Sequence, residues 1–194
     1  MLRSLQNEIT RRRALLIAPL AFAGLLAVSS RKGRDAEASA GDSNGEVAIV
    51  EFDDAGERKG TVRLKKVVHS DSEWRRQLSN EQFYVTRRAN TDTPFTGTYY
   101  QLHKSGLFRC ICCGTALFSS ETKFDSGTGW PSFWAPLAEE NIRTRKDLSL
   151  LLERVEVRCT RCDAHLGHLF DDGPPPTGLR YCMNESSLHF VERV

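Results

Sequence analysis

The chemically suggestive spacing in this 194-residue chain belongs to its six cysteines. Cys110-x-x-Cys113 and Cys159-x-x-Cys162 form two CxxC pairs separated by 45 residues. A two-residue spacer lets both thiolates of a pair face one ion from a tight turn. Two such turns complete a tetrahedral S4 site of the kind zinc occupies. Four thiolates leave no open position for water, so a zinc held this way would be structural. Gly114, directly after Cys113, fits the knuckle because glycine accepts positive φ where the chain doubles back. Two disulfides are the alternative in an exported protein. A thioredoxin-type redox pair lacks the βαβ surroundings it requires.

Cys112 and Cys182 are left over. Cys182 lies in Arg180-Tyr181-Cys182-Met183-Asn184. Arg180, two residues away, shares its face of an extended strand, and a nearby cation favours the nucleophilic thiolate. An inert cysteine buried in a strand fits the same string. His165 and His168 sit in Ala164-His165-Leu166-Gly167-His168-Leu169-Phe170. They could be core histidines, or imidazoles tuned for acid–base work. His-x-x-His also suggests metal ligation, although the four thiolates already satisfy a zinc. Between Phe124 and Trp134 run two glycines, a proline and four aromatic residues. They suit either a pocket wall or an aromatic cluster that closes the core.

The elements that must position these residues read as mainly β. Glu46–Phe52 and Thr61–Val68 flank the turn-rich Asp53-Asp54-Ala55-Gly56, which predicts a hairpin. Ser70 to Ser72 supply caps for a short helix over 73–78, and Ser79 with Gln82 repeats that logic for a second helix. Beyond Pro94, short strands are expected at Leu107–Cys110, Thr115–Phe118, Leu148–Cys159, Leu166–Phe170, Leu179–Met183 and Leu188–Val191.

Composition sets outer bounds. With 40% hydrophobic and 27% charged residues, the chain suits one globular domain with a removable end and excludes wholesale disorder. Residues 1–40 hold seven Lys/Arg against three Asp/Glu, whereas residues 41–194 hold 20 against 22. A nucleic-acid binder concentrates positive charge on its folded part, so that class is disfavoured. Arg11-Arg12-Arg13 precedes the 15-residue apolar run Ala14–Val28, and small-x-small sites end at Ala38 and Ala40. This order predicts a twin-arginine-like export signal over 1–40 and a periplasmic destination. An uncleaved membrane anchor is the alternative, although no apolar run reaches the roughly 20 residues of a spanning helix. No stable membrane insertion is expected after processing.

Taken together, the strings from about Ser72 to Phe190 resemble the type B methionine sulfoxide reductases, the peptide-methionine (R)-S-oxide reductases. The resemblance rests on Pro94-Phe95-Thr96-Gly97, both CxxC pairs, Phe124–Phe133, His165–Phe170, Asp172-Gly173-Pro174, Thr177-Gly178 and Arg180–Asn184. It implies two antiparallel sheets behind short N-terminal helices, with a structural Zn(2+) on Cys110, Cys113, Cys159 and Cys162. It implies Cys182 as the nucleophile and Trp130 as the indole that receives the substrate methyl group. His165, His168 and Asn184 would surround the sulfoxide oxygen. Of the two histidines, His168 is the first choice as proton donor, and Arg180 is expected near the substrate. The activity implied is thiol-dependent repair of oxidised proteins by a monomer, through a Cys182 sulfenic acid. The expected organisation is a signal over 1–40, a hairpin extension over 41–69 and the reductase domain over 70–194.

One position departs from the pattern. Many relatives carry a resolving cysteine where this chain has Thr128, so a thioredoxin-like or glutaredoxin-like partner is expected to recycle the enzyme. Two other classes compete on the residues alone: a non-catalytic zinc-ribbon interaction module, and a zinc hydrolase using His165 and His168 as ligands.

Overall fold

The computed structural model describes residues 45–148 and 153–193. The 1–40 segment expected to be an export signal lies outside these residues. Two strands open the described chain, β1 (Glu46–Phe52) and β2 (Arg58–Lys65), paired antiparallel with Glu46 opposite Lys65. Two short helices follow, α1 (Asp71–Gln77) and α2 (Asn80–Arg88). Each starts on the expected capping box. Ser70 caps the backbone N–H of Glu73 while Glu73 reaches back to Ser70, and Ser79 and Gln82 repeat the exchange.

The remaining strands form two antiparallel sheets. One has three strands: β3 (Gly106–Cys110) lies between β4 (Ala116–Ser119) and β11 (Leu188–Glu192). The other has six, in the order β5 (Lys123–Phe124), β6 (Ser132–Phe133), β10 (Arg180–Met183), β9 (His165–Phe170), β8 (Arg154–Cys159) and β7 (Ile142–Asp147). The fold is mainly β, as expected. Phe133 and Tyr181 point from the large sheet into the core, where Phe133 stacks on Phe118 at 4.5 Å and meets Phe108 edge-on at 4.9 Å. These rings join the two sheets. Because side chains alternate along a strand, their neighbours Ser132 and Cys182 must face the other way.

The strand expected over Leu148–Cys159 is corrected. β8 begins only at Arg154, Leu148 is exposed, and residues 149–152 lie outside the description. The pairing strand β7 was not foreseen, since Ile-Arg-Thr-Arg-Lys-Asp shows no apolar alternation. Its charged side chains find partners across the ladder instead: Arg145 with Glu156, and Asp147 with Arg154. The hairpin β1–β2 is bolted to the main domain. Buried Asn141 accepts from Val50 N and donates to the carbonyls of Val50 and Ala116.

Candidate active site and metal centre

The four cysteines of the CxxC pairs converge. Their sulfur atoms all lie within 4.8 Å of one another, with Cys110–Cys162 and Cys113–Cys159 each 3.6 Å apart. Tetrahedral metal–sulfur bonds of about 2.3 Å would place ligand sulfurs roughly 3.8 Å apart, so the cluster is of a size to hold one ion. The two knuckles are built alike. Gly114 N donates to Cys110 O and Asp163 N to Cys159 O, and both residues take positive φ, 74° and 58°. Gly114 was legible for this role. Asp163 is the non-glycine equivalent, a residue type that tolerates the left-handed region better than most. Lys66 and Arg143 pair with its carboxylate, while Arg87 donates to Cys162 O and Arg109 to Gly114 O. These cations favour an anionic tetrathiolate. Cys112 sits against Cys110 and Cys162, near Arg87.

The second site lies on the outward face of the six-stranded sheet. Phe124, Ser132, Cys182, His168, Glu156 and Arg145 fall in one row across six strands. Opposed residues of an antiparallel ladder share a face, so this register brings Cys182 between Ser132 and His168. Strict alternation would send His165 to the opposite face from His168. A bulge prevents this. Val157 opposes Gly167 but Arg158 opposes His165, which leaves Leu166 as the extra residue and turns His165 back beside His168. The two rings lie 5.3 Å apart. Gly167 is required there, because a Cβ would run into the Cys182 carbonyl oxygen.

Each histidine is backed by a carboxylate that sequence reasoning missed. His165 Nδ1 lies 2.8 Å from Glu156 Oε1, and His168 Nε2 lies 2.9 Å from Asp147 Oδ2. Glu156 in Val155-Glu156-Val157 carried one signal, a lone acid between apolar residues. Asp147 carried none. Burial holds the His165 pKa below the ordinary value while Glu156 pulls it up. In neutral His165 the Nδ1 proton is donated to Glu156, which leaves Nε2 buried and without a partner. Burial likewise pushes the Cys182 thiol up, opposed by Arg180, Thr128 and Ser132. Burial thus favours the thiol form of resting Cys182.

Arg180 binds Asp172 through two contacts of 2.8 Å, and its guanidinium lies 4.2 Å from the Phe170 ring centre. Asn184 is buried. Its side chain accepts from Asp92 N and donates to Leu166 O at the bulge, leaving one amide N–H uncommitted. Trp130 is fixed by its indole N–H, which donates to Asp92 O. It lines a cavity of about 180 Å³ with Asp92, Gly129, Pro131 and Glu185. The aromatic string thus serves both expected purposes: Phe133 closes the core and Trp130 forms a wall.

The SelR domain matches residues 78–192. The Hahella chejuensis protein named peptide methionine sulfoxide reductase MsrB is 56% identical over 127 residues, covering 66% of this chain and 91% of the relative. The chain belongs to the MsrB family of peptide methionine sulfoxide reductases, and so to the oxidoreductases. Proteins of the same name from Herminiimonas arsenicoxydans and Pseudomonas aeruginosa are 52% and 49% identical. Those matches cover 65% and 67% of this chain, and 92% and 98% of the relatives. β1, β2 and α1 precede the SelR match.

Proposed function

We propose that this protein reduces methionine-R-sulfoxide in oxidised proteins through a Cys182 sulfenic acid. The observation that carries the reading is the single row that sets Cys182 opposite His168, whose ring neighbours Glu156-backed His165 on the same face. The Cys182 sulfur attacks the substrate, the sulfoxide oxygen passes to Cys182, and methionine sulfur keeps the released electron pair. The thiol proton ends on that oxygen, so thiol plus sulfoxide gives sulfenic acid plus methionine in balance.

We assign the proton-carrying role to His165 rather than to His168, the first choice on sequence alone. Its Nε2 is uncommitted and Glu156 stabilises the imidazolium, whereas His168 Nε2 is held by Asp147. The remaining Asn184 N–H is a donor for the sulfoxide oxygen, and the Trp130 face suits the S-methyl group. Polar and apolar walls on opposite sides of a chiral sulfur admit one hand. Arg180 acts on the thiol more than on the substrate.

Zinc is the proposed metal of the four-cysteine cluster, and its contribution there is structural. Recycling needs outside thiols. One thiol attacks the sulfenic sulfur to give a mixed disulfide and water; a second releases Cys182 as thiol. We assign 1–40 to export, which replacing Arg12 and Arg13 with lysine should block; unchanged mature protein outside the cytoplasm would reject this assignment.

Cys182→Ser tests the catalytic reading. It should abolish reduction of the R epimer with dithiothreitol while bound metal and thermal unfolding stay as in the unaltered protein. Retained activity, or preference for the S epimer in the unaltered protein, would refute it.

A further inference from the structure

A chain of three hydroxyls leads from Cys182 on the side away from the histidines. Thr128 Oγ1 lies 3.9 Å from Cys182 Sγ, and Ser126 Oγ lies 2.8 Å from Thr128 Oγ1. Ser126 Oγ is also 2.7 Å from Ser132 Oγ, which donates to the Trp130 carbonyl at 3.2 Å. Each hydroxyl has one proton to give. The Trp130 carbonyl can only accept, so the Ser132 proton is committed there. Ser126 must then donate to Ser132, and Thr128 to Ser126. The backbone N–H of Thr128 also points at Ser126 Oγ, at 3.4 Å, consistent with Ser126 as acceptor on that side. Only lone pairs remain on Thr128 Oγ1 for Cys182, whose S–H must be the donor. Every link therefore fits a protonated Cys182.

A thiolate cannot donate. When Cys182 loses its proton to solvent, the chain must turn round: Thr128 donates to sulfur and Ser126 to Thr128. Ser132 donates to Ser126 or directly to the sulfur opposite it, and the Trp130 carbonyl is released. We propose that Thr128, Ser126 and Ser132 form a hydroxyl relay with two directions, one for the thiol and one for the thiolate of Cys182, which ties the state of the nucleophile to the Trp130 backbone. The proposal rests on the reading of Cys182 as nucleophile. Thr128 touches the reacting sulfur; Ser126 acts through it as a positioning residue.

The other groups facing Cys182 are kept in the test. They are Arg180 on its own strand with Asp172, and on the neighbouring strand His168 with Asp147 and His165 with Glu156. Lys123 and Asp125 are the charged residues at the start of the loop that carries Thr128.

The measurement is the pH dependence of Cys182 alkylation by iodoacetamide in the metal-loaded full chain, resolved by site with mass spectrometry. Loss of a donor to the thiolate should move the Thr128→Val midpoint up by about one pH unit. Ser126→Ala, which does not contact sulfur, should move it in the same direction by a smaller amount. Thr128→Ser should return it to the original value. A shift in Thr128→Val without one in Ser126→Ala would leave an isolated contact and overturn the relay. Unmoved midpoints in both, or a Thr128→Ser shift as large as that of Thr128→Val, would overturn it too. Alkylation needs no sulfoxide, so this outcome is separable from failure of the reductase reading, which Cys182→Ser decides.

Discussion

Burial favours the neutral forms of the His165 imidazole and the Cys182 thiol, and each has charged or hydroxyl neighbours that oppose the effect. That balance suits a site which must move a proton only when substrate displaces water. Glu156→Gln removes the carboxylate that raises the His165 pKa, so the imidazolium becomes harder to form. The expected result is a fall in kcat of about 100-fold, with the limb governed by His165 moved to lower pH. Steady-state rates on a sulfoxide peptide across pH check this, and an unchanged profile would return the role to His168. Residue types announced the metal ligands, because CxxC spacing is chemistry written locally. They did not announce Glu156, Asp147 or the hydroxyls of Ser126 and Ser132, which act only through contacts made by folding.

At the scale of elements, register does most of the positioning. Two histidines three apart on a strand read as opposite-facing, and only the bulge at Leu166 brings them together. Gly167 permits the close approach of β9 to β10 at that point. Gly167→Ala should break this packing, lower stability by about 2 kcal/mol or more, and separate His165 from Glu156. Thermal unfolding measures the first effect. The second is read as loss of activity at temperatures where the variant remains folded; a fully active, equally stable variant would contradict the argument. The capping boxes and the first hairpin were readable because their signals are local. β7 escaped because its outward side chains are satisfied by ions across the ladder, a pattern indistinguishable from a solvated loop until the partner strand is known.

For the whole molecule, the thiol cluster joins the end of β3 in one sheet to the end of β8 in the other, and Lys66 after β2 reaches Asp163 in the second knuckle. A metal held there would tie all three sheets together. Structural zinc can supply on the order of 10 kcal/mol, so Cys110→Ser should lose bound metal and unfold at a much lower temperature. Metal analysis and calorimetry check both, and a metal-free protein of unchanged stability would remove zinc from the account. The central claim is tested most directly by a single turnover without reductant. The reduced, metal-loaded protein is mixed with one equivalent of an R-sulfoxide peptide and dimedone. One methionine should form per chain, with dimedone attached to Cys182 and to no other cysteine. Methionine formed without a Cys182 adduct, or an equal yield from the S epimer, would contradict it.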